Sequence, residues 1–131
     1  MLSPAPIPPT IDDIRAAAVR IADRAVRTPL MESPDLNEAV GGRLLIKAEP
    51  LQRTGSFKFR GAFNTISQLS ENERKNGVVA FSSGNHAQGV AAAAELYGIP
   101  AVIVMPEDAP SLKVANTRGY GAEVMLYDRY T

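Results

Sequence analysis

The stretch Val78-Val79-Ala80-Phe81-Ser82-Ser83-Gly84-Asn85-His86-Ala87-Gln88-Gly89 decides the fold. Its apolar start reads as a strand and its small residues as a turn. Asn85 then opens a helix that runs to Tyr97 and stops at Gly98, with Ala87, Val90, Ala91 and Ala94 facing inward. Toward the C-terminus, Ala101-Val102-Ile103-Val104-Met105 is a near-continuous apolar run, the pattern of a strand covered on both faces. Pro110 opens a second helix, Gly119 closes it, and Glu123–Tyr127 predicts a further strand. Strands alternating with helices of this length imply right-handed crossovers and a parallel sheet. The predicted fold is an open α/β sheet with helices on both faces.

Toward the N-terminus, Ser56–Leu69 predicts a helix capped by Ser56, with Phe59, Ala62, Ile66 and Leu69 on one face. Leu44–Ala48 reads as a strand, Ser33–Val40 as a short helix that stops at Gly41-Gly42, and Leu30-Met31 as a short strand. Ile11, Ile14, Ala18, Ile21, Ala22 and Ala25 share a face at helical spacing behind a Thr10 N-cap, so an amphipathic helix is expected that ends before Thr28-Pro29. Residues 1–10 carry prolines at 4, 6, 8 and 9 and read as an extended leader. The chain stops just after a strand, at Tyr130-Thr131, where an α/β unit would continue; a fragment is expected.

Composition narrows the function classes. The 131 residues are 45% hydrophobic and 21% charged, which fits a globular domain and excludes a disordered chain. Fourteen basic residues balance fourteen acidic ones without blocks of either sign, so no nucleic-acid footprint is present. The absence of cysteine excludes disulfides, thiolate zinc sites and a cysteine nucleophile. The apolar runs are too short to cross a bilayer, and Met1–Thr10 lacks the pattern of a signal peptide. A cytoplasmic location with no membrane partner is the expectation. His86 is the single histidine, so no metal site is expected.

In an open α/β sheet, ligands bind beyond the carboxyl ends of the strands. Three segments qualify by position: Ser82–His86, Pro106-Glu107-Asp108, and Thr54–Lys58. Small residues at Ser82, Ser83 and Gly84 leave backbone N–H groups outward at a helix N-terminus, a place suited to a carboxylate or phosphate. The plainer reading is an ordinary N-cap in which serines satisfy orphan amides. Lys58, between Phe57 and Phe59, sits at the positive end of a helix dipole, a poor place for a cation. Such a local conflict marks a functional site, and an amine so placed suits Schiff-base chemistry. Lys47, Lys75 and Lys113 read as surface charges. No nucleophile elbow or phosphate-binding P-loop occurs, and Gly119-Tyr120-Gly121 lies between a helix and a strand, the wrong context for a dinucleotide fingerprint.

Lys47-Ala48-Glu49-Pro50-Leu51-Gln52-Arg53-Thr54-Gly55-Ser56-Phe57-Lys58-Phe59-Arg60-Gly61-Ala62 resembles the cofactor-lysine motif of the serine/threonine dehydratases, fold-type II pyridoxal-phosphate enzymes that include serine racemase. Ser82-Ser83-Gly84-Asn85-His86-Ala87-Gln88-Gly89 resembles their second hallmark, the loop that holds the substrate carboxylate. The resemblance runs from about Ile11 to the end. It implies that Lys58 bonds pyridoxal 5'-phosphate and later moves protons at the substrate Cα. Asn85 would bond the cofactor's phenolic oxygen and Phe57 would pack beside its ring. Ser82, Ser83, Gly84, Asn85 and His86 would grip the α-carboxylate, with Ser83 matching the opposite-face acid/base of the racemase. A homo-oligomeric parent enzyme is implied as well. In the family, the glycine-rich phosphate loop and the group facing the pyridine nitrogen lie beyond position 131. Residues 1–52 would then begin the large domain, and 53–131 would form most of the small one.

The reading so implied is an ammonia-lyase that converts L-threonine or L-serine to a 2-oxo acid and ammonia, with the isolated fragment inactive. A racemase or a 3-hydroxyaspartate dehydratase on the same scaffold is the alternative, and Ser83 permits either. His86 speaks against cysteine and threonine synthases, which usually carry threonine after the asparagine. A non-catalytic module that binds an anion or amino acid through Ser82–His86 is the reading from another class; it has no use for Lys58.

Overall fold

The computed structural model describes residues 8–131. Residues 1–7 of the predicted leader lie outside them, and Pro8–Thr10 are exposed coil. Helix α1 (Ile11–Ile21) starts at a capping box in which the Thr10 hydroxyl and the Asp13 backbone and carboxylate satisfy one another. It stops earlier than its apolar spacing predicts. Arg24 and Ala25 donate N–H bonds back to the Ile21 carbonyl as turns, and a coil leads to Thr28.

Strand β1 (Leu30–Glu32), helix α2 (Pro34–Val40) and strand β2 (Leu45–Lys47) form a compact hairpin-like unit, with β1 and β2 antiparallel and Leu30 opposite Lys47. Two short 3-10 turns, Glu49–Leu51 and Arg53–Gly55, carry the chain to helix α3 (Lys58–Ser67). Helix α4 (Glu71–Lys75) follows. It has no apolar stripe, but Ser70 and Glu73 form the capping box that its sequence spells.

Strand β3 (Val78–Phe81), helix α5 (Asn85–Tyr97), strand β4 (Ala101–Pro106), helix α6 (Ser111–Gly119) and strand β5 (Glu123–Tyr127) make the three-stranded parallel sheet, ordered β3-β4-β5. Gly77 leads into β3 at φ +74°, where a Cβ would lie 2.5 Å from the Pro100 carbonyl oxygen; only glycine fits.

Two right-handed crossovers in one direction return on the same side of a sheet, and α5 and α6 pack against each other there. That face presents Ala101, Ile103 and Met105, all buried. The opposite face carries Val79 (76% exposed), Phe81 (68%) and Met125 (53%) in register with Val102 and Val104. The described residues thus supply the helical layer on one face. Every residue from Ala87 to Ala94 is buried, because α5 lies between the sheet, α3 and α6. Small side chains there let three elements approach one helix closely.

Candidate functional site

Helices α3 and α5 bring Lys58 and the Ser82–His86 loop together, and α6 adds a residue from its own start. The Ser82 N–H is tied to the Val104 carbonyl (3.1 Å), which anchors the loop to the sheet. Ser82 Oγ accepts from the Gly84 N–H (3.2 Å) and so stabilises the loop itself. Ser83 is exposed, and no hydrogen bond among the described residues engages its hydroxyl. Gly84 occupies the N-cap of α5 without a side-chain cap, leaving the first-turn amides open to an anion. The serines therefore do not cap the helix, contrary to the plainer sequence reading.

The approach to Lys58 is strained. Thr54 is the one non-glycine residue at positive φ (63°) among the described residues. Ser56 is extended and buried, and neither its hydroxyl nor that of Thr54 has a partner. The expectation of Ser56 as helix cap is thus corrected: α3 starts at Lys58 with Phe57 in the cap position and no side-chain cap. The two phenylalanines also differ. Phe59 is fully buried in the core, 5.7 Å from Phe63, whereas Phe57 is 58% exposed and holds Lys58 Nζ 5.0 Å from its ring centre. Lys58 has one aromatic partner, since consecutive helical side chains point about 100° apart.

Gly89 sets how close the helices come. A Cβ there would lie 3.1 Å from both Lys58 C and Phe59 N, so α5 presses on the Lys58–Phe59 peptide. Asn85 and His86 stand one turn before Gly89. Phe57, Lys58, Gly61, Ala62, Thr65 and His86 line a cleft of about 320 Å³. Asn85 Oδ1 accepts a bond from Lys113 Nζ (2.6 Å), so the lysine that the sequence reads as a surface charge stands beside Asn85. Its place just after Pro110, where α6 starts beyond β4, is the sequence sign that marks it. In the third loop, Asp108 pairs with Arg129 (2.7 Å).

Behind Lys58, Arg60 grips Glu49 with two bonds, Nε–Oε2 at 2.9 Å and a terminal nitrogen to Oε1 at 2.7 Å. The Arg60 guanidinium holds the Glu49 carboxyl down at about 2, opposed by burial and aided by the Thr28 hydroxyl and the Lys47 charge. Among the described residues, no cluster of three His, Cys, Asp or Glu is placed to hold a metal ion, and no helix is long and apolar enough to cross a membrane.

The chain is 53% identical over 125 residues to L-threo-3-hydroxyaspartate ammonia-lyase of Saccharomyces cerevisiae, a match spanning 95% of the chain and 38% of that protein. L-threonine ammonia-lyase of Thermotoga maritima is 55% identical over 117 residues, 89% of the chain and 29% of the relative. The structure of maize serine racemase superposes with a TM-score of 0.86 at 48% identity, covering 90% of this chain and 36% of that one. The chain thus spans well under half the length of these relatives. The model of the pyridoxal-phosphate dependent enzymes matches residues 21–131, far more than half of the chain, and to that family the chain belongs.

Proposed function

We propose that this chain carries the lysine-bearing part of a pyridoxal-phosphate-dependent ammonia-lyase that acts on a small hydroxyamino acid, L-threonine or L-serine. The observation that carries the reading is the cleft in which Lys58 and His86 meet, next to a helix N-terminus with no side-chain cap. The donor set suits the cofactor and an amino acid: a primary amine on Lys58, a carboxamide on Asn85, the Ser83 hydroxyl, and backbone amides for a carboxylate. The relatives act on threonine, 3-hydroxyaspartate and serine, amino acids with a hydroxyl on Cβ.

In this reading Lys58 would hold the cofactor and take the proton from the substrate Cα, and Phe57 would help to hold the ring. Asn85, steadied by Lys113, orients the bound ring, and Ser82–His86 receive the α-carboxylate through backbone N–H groups. Pyridoxal phosphate supplies the electron sink that makes loss of that proton possible. The β-hydroxyl leaves as water, and hydrolysis of the released enamine yields the 2-oxo acid and ammonia. Residues 1–52 would begin the larger domain and residues 53–131 belong to the smaller. Turnover is assigned to the whole cytoplasmic enzyme, in its oligomeric form, and not to these 131 residues alone.

The test is chemical. Borohydride reduction in the presence of pyridoxal phosphate should fix the cofactor on Lys58, and Lys58→Ala should abolish both the label and the turnover of the whole enzyme. Label found instead on Lys47, Lys75 or Lys113 would overturn the assignment. A racemase is the second reading, favoured by the free, exposed Ser83 hydroxyl. If the enzyme is chiefly a lyase, Ser83→Ala keeps most of the elimination from the L-substrate and loses any D/L interconversion of serine. Equal loss of both would make Ser83 a binding residue.

A further inference from the structure

The first turn of α3 has little local support. It is uncapped, it begins with a cation at the positive end of the helix, and it follows the strained Thr54. What holds it comes from distant sequence. Arg60 takes Glu49 in a fork, and its terminal nitrogen also reaches the Val26 carbonyl (3.0 Å) and Thr28 Oγ1 (3.3 Å). Thr28 in turn donates its hydroxyl to Glu49 Oε1. Gln52 backs the same segment: its carboxamide accepts from the Val26 N–H (2.9 Å) and donates to the Val26 carbonyl (2.8 Å). Glu49 and Arg60 keep only 17% and 26% of their side chains exposed, so this fork is sheltered from solvent.

Residues two apart on a helix lie on nearly opposite sides of it. Lys58 and Arg60 therefore point away from each other, with buried Phe59 between them and Gly89 pressing on the Lys58–Phe59 peptide. Phe59, Ala62, Phe63 and Ile66 seat one face of α3, and Arg60 pins a second face of its first turn, which fixes how that turn is rolled against the core. We propose that Arg60, clamped by Glu49, is a positioning residue that sets the roll of the first turn of α3 and so aims the Lys58 amine into the cleft beside His86. The proposal rests on the reading of Lys58 as the cofactor lysine.

The experiment uses the whole enzyme that contains this chain, with two readouts. Hydrogen exchange compares the amides of Lys58–Gly61 with those of Ala91–Ala94 in α5. Borohydride reduction with excess pyridoxal phosphate gives the share of label at Lys58 against Lys75, a lysine far along the chain from the clamp. For Glu49→Gln, exchange at Lys58–Gly61 should rise about tenfold, with α5 within about twofold, and the Lys58 share should fall severalfold. Arg60→Lys, which keeps the charge and loses the fork, should lie between the two. Equal loosening of α3 and α5, or a Lys58 share that is unchanged while the turn loosens, would overturn the proposal and leave a merely structural ion pair. If the unaltered whole enzyme does not label Lys58 in preference to Lys75, the cofactor-lysine reading fails and this proposal with it. In that event localised exchange would still show the clamp as a structural element.

Discussion

The residues before Arg53 and those from Lys58 onward are held by different forces. From Lys58 to Ala122 the fold rests on a continuous apolar core of Phe59, Phe63, Ile66, the alanines of α5, Ile103 and Met105. Before Arg53, Ala48 is the one buried apolar side chain among the described residues, while Thr28 and Gln52 are buried polar ones. That earlier segment leans on α3 through Arg20 to Asn64 (2.7 Å) and through Arg60 to Glu49, Thr28 and the Val26 carbonyl, and it is tied to the turn before α3 by Arg53 to the Arg24 carbonyl (2.6 Å) and Gln52 to Val26. Apolar packing is indifferent to pH and direction, whereas the polar ties depend on both. The two regions should therefore fail separately, and in one order only.

The largest effect is expected in the core. Phe59→Ala should cost about 3–5 kcal/mol, enough to unfold the parallel unit and release the N-terminal segment with it. Urea unfolding followed by circular dichroism and by proteolysis within residues 20–50 would measure this. If the N-terminal segment stayed protected, its dependence on α3 would be disproved.

The middle effect is acid lability. The Glu49 carboxyl lies at about 2 in the folded chain against an ordinary value of 4.5, so its contribution is full above pH 4.5 and lost as the pH falls toward 2. The shift corresponds to about 3 kcal/mol at most. Between those limits, residues 24–52 should become susceptible to pepsin while the parallel unit stays folded, and in Glu49→Gln the same residues should be open to trypsin already at neutral pH. Simultaneous loss of both regions on acidification would remove the contrast.

The smallest effect tests the core's tolerance. Gly89→Ala gains about 1 kcal/mol of helix propensity. It also needs a few tenths of an ångström from a peptide that buried Phe59 keeps from moving. A net loss of about 1 kcal/mol is expected, read as a shift in the urea midpoint. A net gain would mean that α3 can yield and is less firmly seated than its burial implies.

The same contrast explains what the sequence makes legible. The parallel unit advertises itself, because strand and helix periods follow from which side chains meet the core, and the boundaries of α5 and β5 are read to the residue. The lysine and asparagine loops are legible as long motifs with a fixed order. Less legible are features set by long-range polar contacts. Ser56 looks like a cap by spacing, yet burial turns it away from that role. Lys113 looks like any surface lysine until β4 and α6 set it beside Asn85. Glu49 and Arg60 stand inside the lysine motif, but nothing in their spacing says that they meet.

Gln52 also constrains which sequences this fold tolerates. Its carboxamide stands in for a peptide group, offering one acceptor and one donor side by side to the backbone of Val26. The amino acids one base change from a glutamine codon are Glu, Lys, Arg, Leu, Pro and His. Glu has no donor to offer when ionised, Lys and Arg have no acceptor, Leu and Pro have neither, and the two ring nitrogens of His point away from each other. Asn has the right group on a shorter stem and lies two base changes away. In mutational terms position 52 is an island: random single-base drift has no neighbouring step onto which it can move without breaking the pair of bonds that ties the Val26 backbone to the turn leading into the lysine helix.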